Sequence, residues 1–430
     1  MESTDPTQRL PEDVLVALLR RLPPHGLAAA RCVCKSWHAI IDARRLLDLF
    51  PPSLAGLFLN FFDLDISEFF FRPPRDTDTA VSGRLDYVPA EDSDAAILDH
   101  CNGLLLLWAH VANPATRRWA PLPQWPPGLD SRHIVFDPVV SPHYEVLKIP
   151  SHPWCTPGVE PQHQWPPSPF IMHVFSSTTG IWEERSFARR GDAIGTVAHL
   201  QQRQRWSIKQ DYSAYWRGQL YVLNQFVMRI TLSNCTYQAI ELPVDVSTSN
   251  EKYSLGRSEN GVYLAAINWH RRLRVWILVE LHGEIEWVLK HDNNLDHMLS
   301  RGMYDPQVQG PWRIEDINYN SDHSTSEVNM QEAAEEDKFE WNSDNENTLD
   351  MTLQVGKCYT GDITILGFHP YKEVIFLNES LTRGLAYHLN SSKIEDLGNI
   401  YPKDYSAMYM FVEQSFPYTP CWIGKLPGSI

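Results

Sequence analysis

A chain of 430 residues is too long for one small core and suits a small domain joined to a larger one. Hydrophobic residues at 43% and aromatic residues at 11% are enough for a packed globular protein. A formal net charge of −16, with no long Lys/Arg stripe, argues against a nucleic-acid backbone as the main ligand.

The first ten residues, MESTDPTQRL, have no basic stretch leading into an apolar one, so no signal peptide is expected, and residues 1–8 read as disordered. Residues 9–50 read as a helical unit. Pro11 suits a first helical position, and Glu12 and Asp13 place negative charge where the helix dipole favours it. Val14, Leu15, Leu18, Leu19 and Leu22 then recur at helical spacing on one face, and Pro23-Pro24 stops the helix. A second helix is expected from about Leu27 to Val33, and a third around Trp37, Ile40 and Ile41. Leu46, Leu47 and Leu49 extend an apolar face up to Pro51-Pro52.

From residue 53 to 430 the texture changes to short apolar runs separated by turn pairs such as Asn-Pro, Asp-Pro and Asn-Gly. Expected strands include Gly103–Trp108, Tyr144–Ile149, Phe170–Phe175, Gln219–Leu223, Gly261–Ile267, Val275–Leu281, Asp362–Gly367 and Glu373–Leu377. A weak repeat of Gly, strand, strand, polar turn and aromatic or Leu-Pro runs through 101–123, 172–187, 215–243 and 259–287. One small antiparallel sheet per repeat cannot bury both its faces alone, so packing around an axis, as in a propeller, is expected. Residues 150–169 read as a loop. Residues 321–350 hold ten acidic residues and one lysine, and read as an acidic, disordered insertion.

The helical segment resembles the F-box family. The carriers are Leu10-Pro11-Glu12-Asp13-Val14-Leu15, then Leu18-Leu19-Arg20-Arg21-Leu22-Pro23, then Arg31-Cys32-Val33-Cys34-Lys35-Ser36-Trp37. Ala28-Ala29-Ala30 and Ala17 depart from residues frequent in that family. The remainder resembles the F-box-associated, kelch-like β domains of plant proteins, through Cys101-Asn-Gly-Leu, Asn113-Pro-Ala-Thr-Arg-Arg-Trp119, Tyr144-Glu-Val-Leu147, Ser176-Ser-Thr-Thr-Gly-Ile-Trp182 and Tyr215-Trp-Arg-Gly-Gln-Leu-Tyr221. The fold so implied is a small all-α three-helix F-box followed by an all-β, propeller-like domain.

The resemblance also implies a role: a substrate-recognition subunit of a Skp–cullin–F-box ubiquitin ligase. The F-box would dock on a Skp-type adaptor, and through it a cullin, while the β domain binds a target protein. By carry-over the adaptor contact falls on Leu10, Pro11, Val14, Leu15, Leu18, Leu22, Pro23, Val33, Cys34, Lys35 and Trp37. Each of these residues could equally fill the internal core of the three helices. A unit of about 40 residues is near the lower limit for supporting its own core, so a partner surface is expected.

Target-binding candidates are aromatics and cations in turns: Trp154, Trp165, Trp206, Trp216, Trp269, His270, Arg271, Arg272 and Trp312. Most of the 15 tryptophans are expected between sheets, and Trp269-His270-Arg271-Arg272 is the preferred site because it reads as an exposed hairpin tip. No G-x-S-x-G, H-E-x-x-H, P-loop or dinucleotide fingerprint occurs. The seven cysteines form no C-x-x-C pair. No metal, cofactor, membrane span or catalysis by the chain itself is expected, and the location expected is cytoplasmic or nuclear. Two other readings compete: an F-box interaction or scaffold protein acting outside a ligase, and a propeller enzyme or sugar-binding module.

Overall fold

In the computed structural model the described residues are 11–22, 24–31, 33–44, 46, 53–73, 81–89, 96–128, 130–150, 159–203, 212–243, 251–296, 310–318, 362–380, 382–403, 405, 411–422 and 426–428. Residues 1–8 and the acidic stretch 321–350 lie outside them.

Three short helices open the described chain: α1 (Glu12–Leu19), α2 (Pro24–Arg31) and α3 (Lys35–Ala43). Pro11 precedes α1 as its N-cap and accepts the amides of Val14 and Leu15 through its carbonyl at 3.0 and 3.1 Å. The second helix begins three residues earlier than expected. Pro24, read as part of a stop, instead opens α2, because a proline at the first helical position lacks only an N–H that has no partner there. The unit packs Leu15, Val16, Leu19, Leu27, Ala30, Ile41 and Leu46 into one core, with Leu22, Trp37 and Ile40 partly buried against it. The Glu12 carboxylate pairs with Arg44 at 2.9 Å, joining the start of α1 to the end of α3.

Beyond residue 53 the strands fall into six four-stranded antiparallel units. Unit I holds Gly56–Phe61, Glu68–Phe71, Arg313–Glu315 and Val412–Tyr418. Unit II holds Asp99–Cys101, Leu104–Leu106, His110–Asn113 and Arg118–Pro121. Unit III holds Asp130–Phe136, Tyr144–Pro150, Phe170–Ser176 and Ile181–Arg190, and unit IV holds Tyr212–Trp216, Gln219–Leu223, Val227–Thr231 and Thr236–Ile240. Unit V holds Lys252–Ser258, Gly261–Ile267, Arg272–Leu281 and Glu284–Asn294, and unit VI holds Ile363–Phe368, Val374–Glu379, Arg383–His388 and Lys393–Asn399. Each of the four repeats read from the sequence falls within one unit.

The first strands of units II to VI and the last strand of unit I adjoin one another in succession, and the sixth returns to the first. Units III and IV are also fused at their outer edges. Ala188–Arg190 pairs in parallel with Thr236–Gln238, so the two make one eight-stranded sheet. Between them a core of Trp165, Phe170, Met172, Leu220, Ile230 and Tyr237 is capped by α4 (Val197–Arg203), which buries Val197 and Leu200. The two-residue strand Gln164–Trp165, which pairs with Gly195–Thr196, corrects the reading of residues 150–169 as loop throughout.

The ends of the β domain meet in unit I. Val412–Tyr418 pairs with Gly56–Phe61 in the register Leu57↔Pro417 and Phe58↔Phe416. Tyr418 is fully buried; its ring packs edge-on to Phe58, and its hydroxyl accepts the Ala115 amide at 3.2 Å and donates to the Gly103 carbonyl at 3.3 Å. The C-terminal strand thereby ties unit I to unit II.

Candidate functional site

The helical unit divides the residues assigned to an adaptor into two sets. Leu15 is buried in the core, and Leu22 and Trp37 pack partly against it. Val14 and Leu18, one turn apart on α1, are 45% and 48% exposed, and Val33 after α2 is 64% exposed. Pro11 and Lys35 are exposed as well. Cys34 acts locally, its sulfur accepting the Trp37 amide at 3.5 Å and so capping the start of α3 as a serine would. Leu10 and Pro23 lie outside the described residues. The helical spacing of α1 therefore yields an inner stripe and an outer apolar one, and a residue type alone cannot assign Leu15 to the first and Leu18 to the second.

The hairpin tip at 268–272 is exposed only in part. Trp269 is 70% exposed and stacks on His270. Arg271 turns inward, correcting its assignment to the exposed tip. It adopts a left-handed φ of 55°, is 8% exposed, and lies 3.6 Å from Asp296 and 3.8 Å from Glu379. Those carboxylates come from segments far along the chain and draw the guanidinium into the fold. Arg272 is exposed but occupied, paired with Asp292 at 2.6 Å. Among the other tryptophan candidates, Trp165 and Trp312 are each 3% exposed; Trp312 lies between Phe70 and Phe376. Trp216 is half-buried, and Trp154 and Trp206 lie outside the described residues.

The motifs that carried the β-domain resemblance hold the fold together. Asn102 and Gly103 form a two-residue turn with φ of 47° and 88°, both in the left-handed region that such hairpins require. Asn102 donates to the Phe136 carbonyl at 2.6 Å, and the buried Cys101 sulfur contacts the same residue's carbonyl and amide at 3.3 and 3.4 Å. Burial pushes the Cys101 thiol up to about 12, which leaves it protonated and inert. Two residues earlier, buried Asp99 accepts the Ile134 amide at 2.9 Å and the Ser213 hydroxyl at 2.8 Å. A single carboxylate thus staples units II, III and IV. Asn113 donates to the Cys421 carbonyl at 2.9 Å, fixing the C-terminal segment onto unit II.

Sequence reading missed a cavity enclosed by the adjoining inner strands. Its space, about 740 Å³ including an open mouth, is bounded by Asp99–Asn102, Tyr212–Tyr215, Ser254–Arg257, Gly367–Phe368 and Gln414–Pro417. A second cavity gathers the beginnings of the same strands, at Tyr212, Lys252, Thr364 and Val412. The inner strands of units IV, V, VI and I therefore run in the same direction about a common axis. Within the first cavity burial lowers the His100 imidazole below its usual value, and Tyr215 is raised to about 12, so both are neutral at pH 7. Its walls come from five strands far apart in sequence, so no local pattern marks it.

Among the described residues no group of His, Cys, Asp or Glu could hold a metal ion, and no helix is long and apolar enough to cross a membrane. The F-box-like family model matches residues 7–47, the segment that holds α1 to α3. A putative F-box protein of Arabidopsis thaliana is 25% identical over 247 residues, 55% of this chain and 61% of that protein, so the match spans less than two thirds of the relative. Among solved structures, AztD of Citrobacter koseri gives a TM-score of 0.30 at 9% identity, over 71% of this chain and 72% of that one. The complex of KlAtg21 with the coiled-coil of AgAtg16 gives 0.33 at 9% identity, over 84% and 92%. Likeness at this level carries no argument about either fold or function. The helical core and the sequence match agree, and this chain carries an F-box-like domain at its N-terminus, ahead of a β-rich domain.

Proposed function

We propose that this chain is the non-catalytic substrate-recognition subunit of a Skp–cullin–F-box ubiquitin ligase. The carrying observation is the outer apolar stripe of the F-box-like unit: Val14, Leu18 and Val33 stand in solvent on a domain whose seven-residue core is already filled. Exposed apolar side chains on so small a unit are what a helix-rich interface would bury. With them we assign Leu10, Pro11, Pro23 and Lys35 to the adaptor contact, and Leu15, Leu22, Cys34 and Trp37 to the scaffold beneath it. The boundaries that go with this reading are 9–50 for the F-box and 53–430 for the β domain, in a cytoplasmic or nuclear protein.

We read the β domain as a six-bladed, kelch-like propeller, each four-stranded unit forming a blade around the shared axis. The closure of unit I by the first and last strands supports that reading, because closure removes the open sheet edges a partial ring would leave. The domain would hold a target protein near the conjugating enzyme, raising the local concentration of its lysines. The test is purification of the full chain from cells, asking whether both a Skp-type adaptor and a cullin accompany it. Their joint loss in Leu18→Asp supports a ligase receptor. An adaptor without any cullin would favour the scaffold reading instead.

A further inference from the structure

The axial cavity is lined by one cation that pairs with no carboxylate among the described residues. Arg257 lies on the inner strand Lys252–Ser258 and lines the cavity half-buried, with its guanidinium 5.7 Å above the Tyr371 ring. Its side chain forms no ion pair or hydrogen bond with the described residues, while its backbone pairs with Val262 in the sheet. Arg185 pairs with Glu145 at 2.8 Å, Arg229 with Glu280 at 3.0 Å and Arg383 with Asp396 at 2.7 Å, while Arg132 lies over the Trp108 and Trp125 rings at 3.9 and 4.8 Å. Two carboxylates stand at the cavity, Asp99 in its lining and Asp137 beside the lining residue Tyr215, and neither pairs with Arg257. Asp99 takes Ile134 and Ser213, and Asp137 accepts the Val139 amide at 3.1 Å. In a chain of net charge −16, an arginine left unpaired beside an open void is placed to receive an anion.

We propose that the axial cavity receives the side-chain carboxylate of an acidic residue from a partner protein, paired with Arg257. One guanidinium supplies one positive charge, which matches a carboxylate better than a doubly charged phosphate. Among the residues that line the void there is no second Lys or Arg, and Asp99 adds a negative charge nearby. In the same lining Gln414 offers an amide and Thr419 a hydroxyl to hold the adjoining backbone. The proposal deepens the receptor reading by naming the chemistry of the target, and it rests on that reading for the target's identity.

The experiment is arginine-Nε nuclear magnetic resonance on the full chain, with the Arg257 signal identified by its absence from Arg257→Lys and Arg257→Gln. The probes are N-acetylglutamate N-methylamide, its glutamine counterpart and inorganic phosphate. The proposal predicts a saturable shift of that one signal with the glutamate probe, at about millimolar concentration for a single charge-assisted pair, and little shift with glutamine. A signal that stays still with glutamate, or moves equally with glutamine, overturns it. A shift with phosphate alone overturns the carboxylate assignment. Adaptor capture by Arg257→Lys keeps the two claims apart: retained capture with no glutamate shift sinks only the cavity proposal, and a glutamate shift without adaptor capture sinks only the ligase reading.

Discussion

Two buried polar residues decide how the β domain responds to mutation and to acid. Asp99 serves an amide and a hydroxyl from neighbouring units, so Asp99→Leu leaves both donors without their acceptor where three units meet. The expected cost is about 3 kcal/mol, read as a lowered urea midpoint with the slope unchanged. His369 is 3% exposed, and its Nδ1 accepts the Tyr371 amide at 3.1 Å, which requires a neutral ring. Burial, helped by the nearby Lys372 charge, lowers it to about 4. The unfolded chain therefore binds the extra proton first. Stability from this residue is fully present above the ordinary histidine value of about 6.5 and is lost as pH falls to about 4. The full loss is on the order of 3 kcal/mol. His369→Asn keeps an acceptor for Tyr371 and is expected to flatten the decline in urea midpoint between about pH 6.5 and about pH 4. An unchanged decline would place the sensitivity elsewhere, with the partly buried His100 and His291 the next groups to examine, since desolvation lowers both.

At the scale of elements, α1 carries two jobs on opposite stripes. Leu19 is 1% exposed and Leu18 is 48% exposed, although they are neighbours in sequence. Leu19→Ala is expected to destabilise the helical unit by about 2–4 kcal/mol, and Leu18→Ala by less than about 1. Hydrogen exchange of the α1 amides would separate them, with protection falling only in the first. Equal effects would mean that Leu18 belongs to the core. Strand elements were legible where turn residues bracketed them. Gln219–Leu223 and Gly261–Ile267 follow tight turns and match their expected bounds. The α2 start was misplaced because Pro24 can end one helix or begin another. Helix α4 was hidden because its seven residues, VAHLQQR, are too few to display a helical period.

At the scale of the whole molecule, the repeat was visible in sequence but its closure was not. The Gly56–Phe61 strand, GLFLNF, is buried at every position, so it shows no alternation, and its partner Val412–Tyr418 stands at the far end of the chain. The inward turn of Arg271 was hidden for the same reason, since Asp296 and Glu379 reach it only through the fold. Removing residues 411–430 would expose the whole length of Gly56–Phe61 and release the Tyr418 links to unit II. That truncation is expected to lose the cooperative urea transition and to become sensitive to limited proteolysis across units I and II. A truncated chain that unfolds like the intact one would show that closure contributes little.

The measurement that bears most directly on the ligase-receptor reading is calorimetric titration of a purified Skp-type adaptor into the intact chain and into Leu18→Asp and Val33→Asp variants. Both side chains stand in solvent, so neither change should disturb the fold. The expected result is binding by the intact chain and a loss of about 100-fold or more, on the order of 3 kcal/mol, in each variant, because a carboxylate would be forced into an apolar contact. Unchanged affinity in both variants, or no binding by the folded intact chain, would contradict it.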